Sequence, residues 1–72
     1  MLYNYDASLD KCPLPLVKTR VILKKMQIGD VCLIRIYDKG SKKNILNYLT
    51  KFAWSYSQQT ISDNGLEIEI IK

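Results

Sequence analysis

Hydrophobic and polar positions divide the 72-residue chain into strand-like and helix-like segments. Leu2–Asp6 holds two tyrosines and a leucine and predicts a short strand. Ala7–Lys11 is polar enough to be a loop. Pro13 and Pro15 open a segment that runs to about Met26. Within it Leu16, Thr19, Leu23 and Met26 recur at steps of three and four, the spacing of one helix face. Proline fits a first helical turn, where its missing N–H would have had no partner. Lys18 and Lys25 fall on the other side, and Val17 and Val21 form a second apolar stripe, which is either extra core or a contact surface. Gln27-Ile28-Gly29-Asp30 stops the helix, with Gly29 as the expected C-terminal cap.

Val31–Tyr37 is almost continuously apolar and predicts a central strand, buried on both sides at its start. Asp38–Ser41 reads as a turn, with Ser41 as N-cap of a second helix from Lys42 to about Ser55. Ile45, Leu49, Phe52 and Tyr56 make the apolar face of that helix, with Leu46 and Ala53 beside them. Gln58–Ser62 is a weaker strand. Asp63-Asn64-Gly65 is a hairpin signal, because Asn-Gly supplies residues that accept positive φ. Leu66–Ile71 alternates cleanly and predicts the last strand. The expected fold is therefore α/β (α+β): a two-layer α/β sandwich in the order β-α-β-α-β-β. It has a four-stranded mixed sheet, two helices on one face, and a single domain over residues 1–72. The first two strands should be parallel, joined by a right-handed crossover.

Composition narrows the function. Hydrophobic residues at 47% and charged residues at 25% exclude a disordered tail. No apolar run approaches the roughly 18 residues that span a membrane. Met1–Asp6 has no basic n-region and no small-residue cleavage site, so the cytoplasm is the expected compartment. There is no His, which removes Cys–His dyads, Ser–His–Asp triads and His-ligated metals. Cys12 and Cys32 alone are too few for a closed zinc site, so no metal is expected, and reducing cytosol argues against a disulfide. The net charge is +4, and its placement matters more than its sum. Lys11, Lys18, Arg20, Lys24 and Lys25 form one acid-free run; Lys39, Lys42, Lys43 and Lys51 form another. If both runs lie on one side of a sheet, that side carries most of the positive field.

The sharpest candidate for chemistry is Cys12-Pro13-Leu14-Pro15. It puts a Cys at the expected N-cap or first position of a helix. Unpaired N–H groups and the positive dipole end there favour a thiolate or persulfide anion. Lys11 and Lys18 would act in the same sense. The residue types alone leave a second reading open, a buried Cys serving as a small hydrophobe. Cys32, inside an apolar strand, is expected to be a core thiol, and Trp54 a packing residue. The five tyrosines are scattered and form no RNA-binding signature, which disfavours direct nucleic-acid binding. Lys11, Lys18, Arg20, Lys24 and Lys25 would suit an acidic protein partner, with electrostatics aiding encounter.

A wider pattern surrounds this Cys. Asp6, the run Cys12-Pro13-Leu14-Pro15-Leu16-Val17-Lys18-Thr19-Arg20, and Lys25-Met26-Gln27-Ile28-Gly29-Asp30 follow in order. Tyr37-Asp38-Lys39-Gly40-Ser41 and the final hairpin continue the series. Together they resemble the TusA/SirA-like family of small sulfur-carrier, sulfurtransferase-like proteins over essentially the whole chain. The resemblance implies the same β-α-β-α-β-β sandwich. It implies that Cys12 of the CPxP motif accepts sulfane sulfur as a persulfide and hands it to a partner, with Pro13 and Pro15 shaping the motif. It implies a cysteine desulfurase or other persulfide donor and a downstream sulfur-acceptor protein. The relay served would be tRNA 2-thiouridine formation or another sulfur pathway. No cofactor is called for, since sulfur–sulfur exchange needs only a nucleophilic thiolate and a good leaving group. The chain departs from the pattern at Leu9-Asp10, where the family often has Gly-Leu, at Lys39 in place of Pro, and at Asn44-Ile45-Leu46 in place of Asp-Ile-Pro. Asp10 adds a negative charge close to Cys12 that opposes a thiolate. The rival readings are a basic binding or regulatory module for RNA or an acidic protein, with Cys12 not catalytic, and a redox adaptor in which Cys12 forms a mixed disulfide.

Overall fold

The computed structural model describes residues 1–72. Its elements are β1 (Leu2–Ala7), α1 (Leu14–Lys25), β2 (Val31–Ile36), α2 (Lys39–Lys51), β3 (Ser55–Thr60) and β4 (Leu66–Ile71). The strands lie in the order β1-β2-β4-β3. β1 runs parallel to β2, with Leu2 opposite Val31 and Ala7 opposite Ile36. β4 is antiparallel to both of its neighbours, β2 and β3. The sheet is mixed, as the order of segments anticipates.

Strand periodicity builds the core. Alternation in β2 turns Cys32, Ile34 and Ile36 to one face, and β4 adds Ile68 and Ile70 beside them. Leu23 and Met26 of α1 and Ile45 and Leu49 of α2 close over these residues in one cluster, so both helices cover the same face. Each fully buried Ile or Leu contributes about 1.5–3 kcal/mol. Val31 and Leu33, on the opposite face of β2, are only half-buried, so this strand is not buried on both sides at its start. On that outer face Arg35 donates to Glu67 at 3.1 Å. Val17 and Val21 of α1 are 49% and 48% exposed, which makes their stripe surface and not core. No helix is long and apolar enough to cross a membrane.

The largest departures from the sequence pattern lie at helix ends. α1 stops at Lys25 with Met26 as an extended C-cap, and Gly29 is not the cap. Gly29 instead supplies φ 96° in the following turn, where Asp30 accepts the Gln27 N–H at 2.9 Å. α2 begins three residues early, because its N-cap is Asp38 and not Ser41. Ser41 is fully buried inside the first turn. α2 also ends early. The Trp54 N–H donates to the Leu49 carbonyl at 2.9 Å and the Ala53 N–H to that of Thr50 at 3.2 Å. Ala53 itself has φ 57°. This is a Schellman closure with Ala in the left-handed position usually held by Gly. In consequence Phe52 is exposed against Tyr48, 4.7 Å between ring centres, and is not core. Tyr56 belongs to β3, which starts at Ser55 and not Gln58. Trp54 packs against the core, as expected.

The β3–β4 turn also differs from the Asn-Gly expectation, since neither Asn64 nor Gly65 has positive φ. Gly65 serves close approach instead: a Cβ there would stand 2.6 Å from Ser62 Oγ and 2.8 Å from Tyr37 Cε2.

Ala53→Gly should stabilise the protein. A left-handed L-residue costs roughly 1–2 kcal/mol, and glycine's greater unfolded-state entropy returns part of the gain. The expected net gain is about 0.5–1 kcal/mol, a Tm rise of about 2–8 °C by calorimetry. An unchanged or lower Tm would contradict the Schellman assignment.

Candidate functional site

Cys12 lies on the loop that carries the chain from β1 into α1. The first turn of α1 is unusual because Pro13 is its N-cap and Pro15 its second residue, with no side-chain cap. Prolines bring no N–H, so the turn has fewer unpaired donors and a restricted backbone. Cys12 therefore precedes the N-cap, one residue earlier than expected. Its thiol is exposed, which decides against the small-hydrophobe reading.

The second half of the site comes from α2. Oδ2 of Asp38 accepts the Ser41 hydroxyl at 2.8 Å, the Ser41 N–H at 3.0 Å and the Cys12 N–H at 3.2 Å. One carboxylate thus caps α2 and holds the Cys12 backbone against that cap. These bonds keep the Asp38 carboxyl below the usual aspartate range: chiefly the Ser41 hydroxyl, then the Cys12 and Ser41 amides, with the nearby Lys11 charge adding to them. The positive end of α2 favours the same ionised form. A Cβ placed on Gly40 would stand 3.8 Å from Cys12 Cβ, so the cysteine lies on the first turn of α2. From the next turn Asn44 reaches back, and its Nδ2 donates to Cys12 Sγ at 3.0 Å. The sulfur sits between the N-terminal ends of both helices, and no pocket opens around it.

Two charges expected to act on Cys12 are engaged elsewhere. Lys18 donates to Asp10 at 2.8 Å, so its ammonium is committed to that carboxylate. Tyr5 donates its hydroxyl to the same oxygen at 2.5 Å. The bonds from Lys18 and Tyr5 hold the Asp10 carboxyl below its usual range. The Asp10 charge is therefore compensated where it stands. Burial, and then the hydrogen bond to Asp10, raise the Tyr5 phenol. The acid that does reach Cys12 is Asp38.

Cys32 is fully buried in β2, and burial pushes its thiol up to about 11. It fits the expected core role. Lys11, Lys18, Arg20, Lys24 and Lys25 are all exposed. The Arg20 guanidinium lies 5.7 Å from the centre of the Tyr48 ring, bridging the two helices. Leu14, Val17 and Val21 make an exposed apolar stripe on α1 among these cations.

Sequence reasoning missed both residues that touch Cys12. Asp38 had a usable signal, since Asp is as good an N-cap as Ser. Asn44 stood out only as a departure from the family's Asp-Ile-Pro, and its contact with Cys12 spans 32 residues of sequence.

A family model described as sulfurtransferase TusA matches residues 3–72. Among solved structures, the chain is similar to the SirA-like protein of Desulfitobacterium hafniense. The two are 18% identical and superpose with a TM-score of 0.83 over 99% of this chain and 96% of that one. At that identity the likeness is one of fold. No curated protein matches.

The exposures of the two thiols set an expected labelling pattern. Iodoacetamide at pH 8 should alkylate one site on the folded protein, Cys12, and a second, Cys32, only after denaturation. Peptide mapping reads both. Native labelling of Cys32 at a comparable rate would contradict its placement in the core.

Proposed function

This chain belongs to the sulfurtransferase TusA family, and on that premise we propose that it is a cytoplasmic sulfur carrier that holds sulfane sulfur on Cys12. In loading, the Cys12 thiolate attacks the outer sulfur of a donor persulfide. A new bond forms at Sγ, the donor S–S bond breaks, and the donor leaves as a thiolate. In hand-off, an acceptor thiolate attacks the outer sulfur of the Cys12 persulfide. The electron pair of the broken bond returns to Sγ, so no external oxidant or reductant enters. The observation that carries this reading is the exposed Cys12 thiol, hydrogen-bonded at its sulfur and at its backbone. Pro13 and Pro15 shape the loop that presents it.

The donor in this reading is a cysteine desulfurase or another persulfide protein, and the acceptor is a second protein thiol. Which relay is served, tRNA 2-thiouridine formation or another sulfur pathway, follows from that acceptor. The α1 surface supports protein partners. Leu14, Val17 and Val21 offer apolar contact, and Lys11, Arg20, Lys24 and Lys25 offer positive charge beside it, while the fifth expected cation, Lys18, is paired with Asp10. An acidic protein face matches both in kind. Nine of the eleven Lys and Arg residues lie in the two runs that carry the helices, which cover one face of the sheet.

The test is intact-protein mass spectrometry after incubation with a cysteine desulfurase and cysteine. Wild type should gain one reductant-labile sulfur, about 32 Da, and Cys12→Ser should gain none. A gain that persists in Cys12→Ser would move the chemistry to Cys32. No gain on folded wild type with several donors would overturn the carrier reading in favour of a binding module.

A further inference from the structure

Asn44 is the one side chain that hydrogen-bonds to the sulfur. It is half-buried on α2, and its Nδ2 lies 3.0 Å from Cys12 Sγ. Asn is a poor residue for a helix interior, because its amide competes for nearby backbone groups. Here the amide is directed across the helix–helix junction to the thiol instead. Cys12 cannot easily move away from it, since Asp38 holds the Cys12 N–H at 3.2 Å. The donor and its target are therefore fixed relative to each other by the fold.

We propose that Asn44 is a catalytic residue of the sulfur relay, the hydrogen-bond donor that stabilises negative charge on Cys12 Sγ and so favours hand-off. The inference rests on the carrier reading above. In loading, Sγ is the nucleophile. The nucleophilicity of a thiolate responds only in part to such stabilisation, with a Brønsted slope of about 0.4–0.5. In hand-off, Sγ is the leaving group. The bond from Sγ to the outer sulfur breaks, the electron pair collects on Sγ, and the Nδ2–H group stabilises that developing charge. A stabilised leaving thiolate departs faster. Asn44 therefore acts more on the second step than on the first, biasing the carrier toward release. A carboxylate of the same shape would place negative charge and no donor against the same atom.

The experiment loads wild type, Asn44→Ala and Asn44→Asp with inorganic polysulfide, so that no protein partner enters the measurement. Free cysteine is then the acceptor, and loss of the persulfide mass is followed in time. Hydrogen bonds to charged groups are strong enough that release should slow about three- to tenfold in Asn44→Ala, and further in Asn44→Asp. Loading should change less than release. Circular dichroism confirms that each variant is folded. Equal iodoacetamide rates for the three proteins in denaturant confirm that the thiol itself is intact in each. Loading in all three proteins with release rates within twofold would overturn the Asn44 role alone. Failure of wild type to load would remove the carrier reading and this role with it.

Discussion

A single carboxylate oxygen joins the two halves of the site. Oδ2 of Asp38 takes hydrogen bonds from the Ser41 hydroxyl, the Ser41 amide and the Cys12 amide, at 2.8, 3.0 and 3.2 Å. The first two begin α2; the third pins a loop that is distant in sequence. Hydrogen bonds to an ionised acceptor are stronger than neutral ones, and the α2 dipole favours the ionised form. The same charge that nucleates a helix therefore fixes the position of the thiol. Cys12 is exposed and yet held in place.

The rest of the site follows from that anchor. With its backbone tied to the start of α2, Cys12 brings its sulfur to Asn44 one turn further on. A second clasp acts on the same loop, where Asp10 takes both Lys18 of α1 and Tyr5 of β1. It locks the loop from the sheet side and compensates the one acid next to the motif. The thiol is left on an open surface beside an apolar stripe and a field of exposed cations. Such a surface suits a reaction whose substrate arrives attached to another protein.

Of the central strands, β4 was legible because it has an inside and an outside, and β2 because it is almost continuously apolar, which hid its half-buried outer face. Leu66–Ile71 alternates, and Ile68 and Ile70 are indeed the buried members. Cys12, Pro13 and Pro15 were legible as a motif at the start of a helix. The ends of α2 were not. Asp38-Lys39-Gly40-Ser41 contains two competent cap residues, and only the fold selects Asp38, since its carboxylate is shared with Cys12. At the other end the left-handed residue is Ala53 and not glycine, so nothing marked the stop. That error displaced β3, whose side chains are nearly all exposed and show no alternation. The charge arrangement around Cys12 was illegible for another reason: the pairing of Lys18 with Asp10 and the reach of Asn44 to the sulfur depend on packing.

The most direct measurement of this shared anchor is an NMR titration of the Cys12 and Ser41 backbone amides in acid. Asp38 is held below the ordinary aspartate range, so its stabilising bonds persist above that range and disappear only as pH falls through the lowered value. Both amide resonances should then move together, with one common midpoint below that of an ordinary aspartate. Asp38→Asn should abolish that shared step. Different midpoints for the two amides, or a Cys12 amide indifferent to the titration that moves Ser41, would contradict the account.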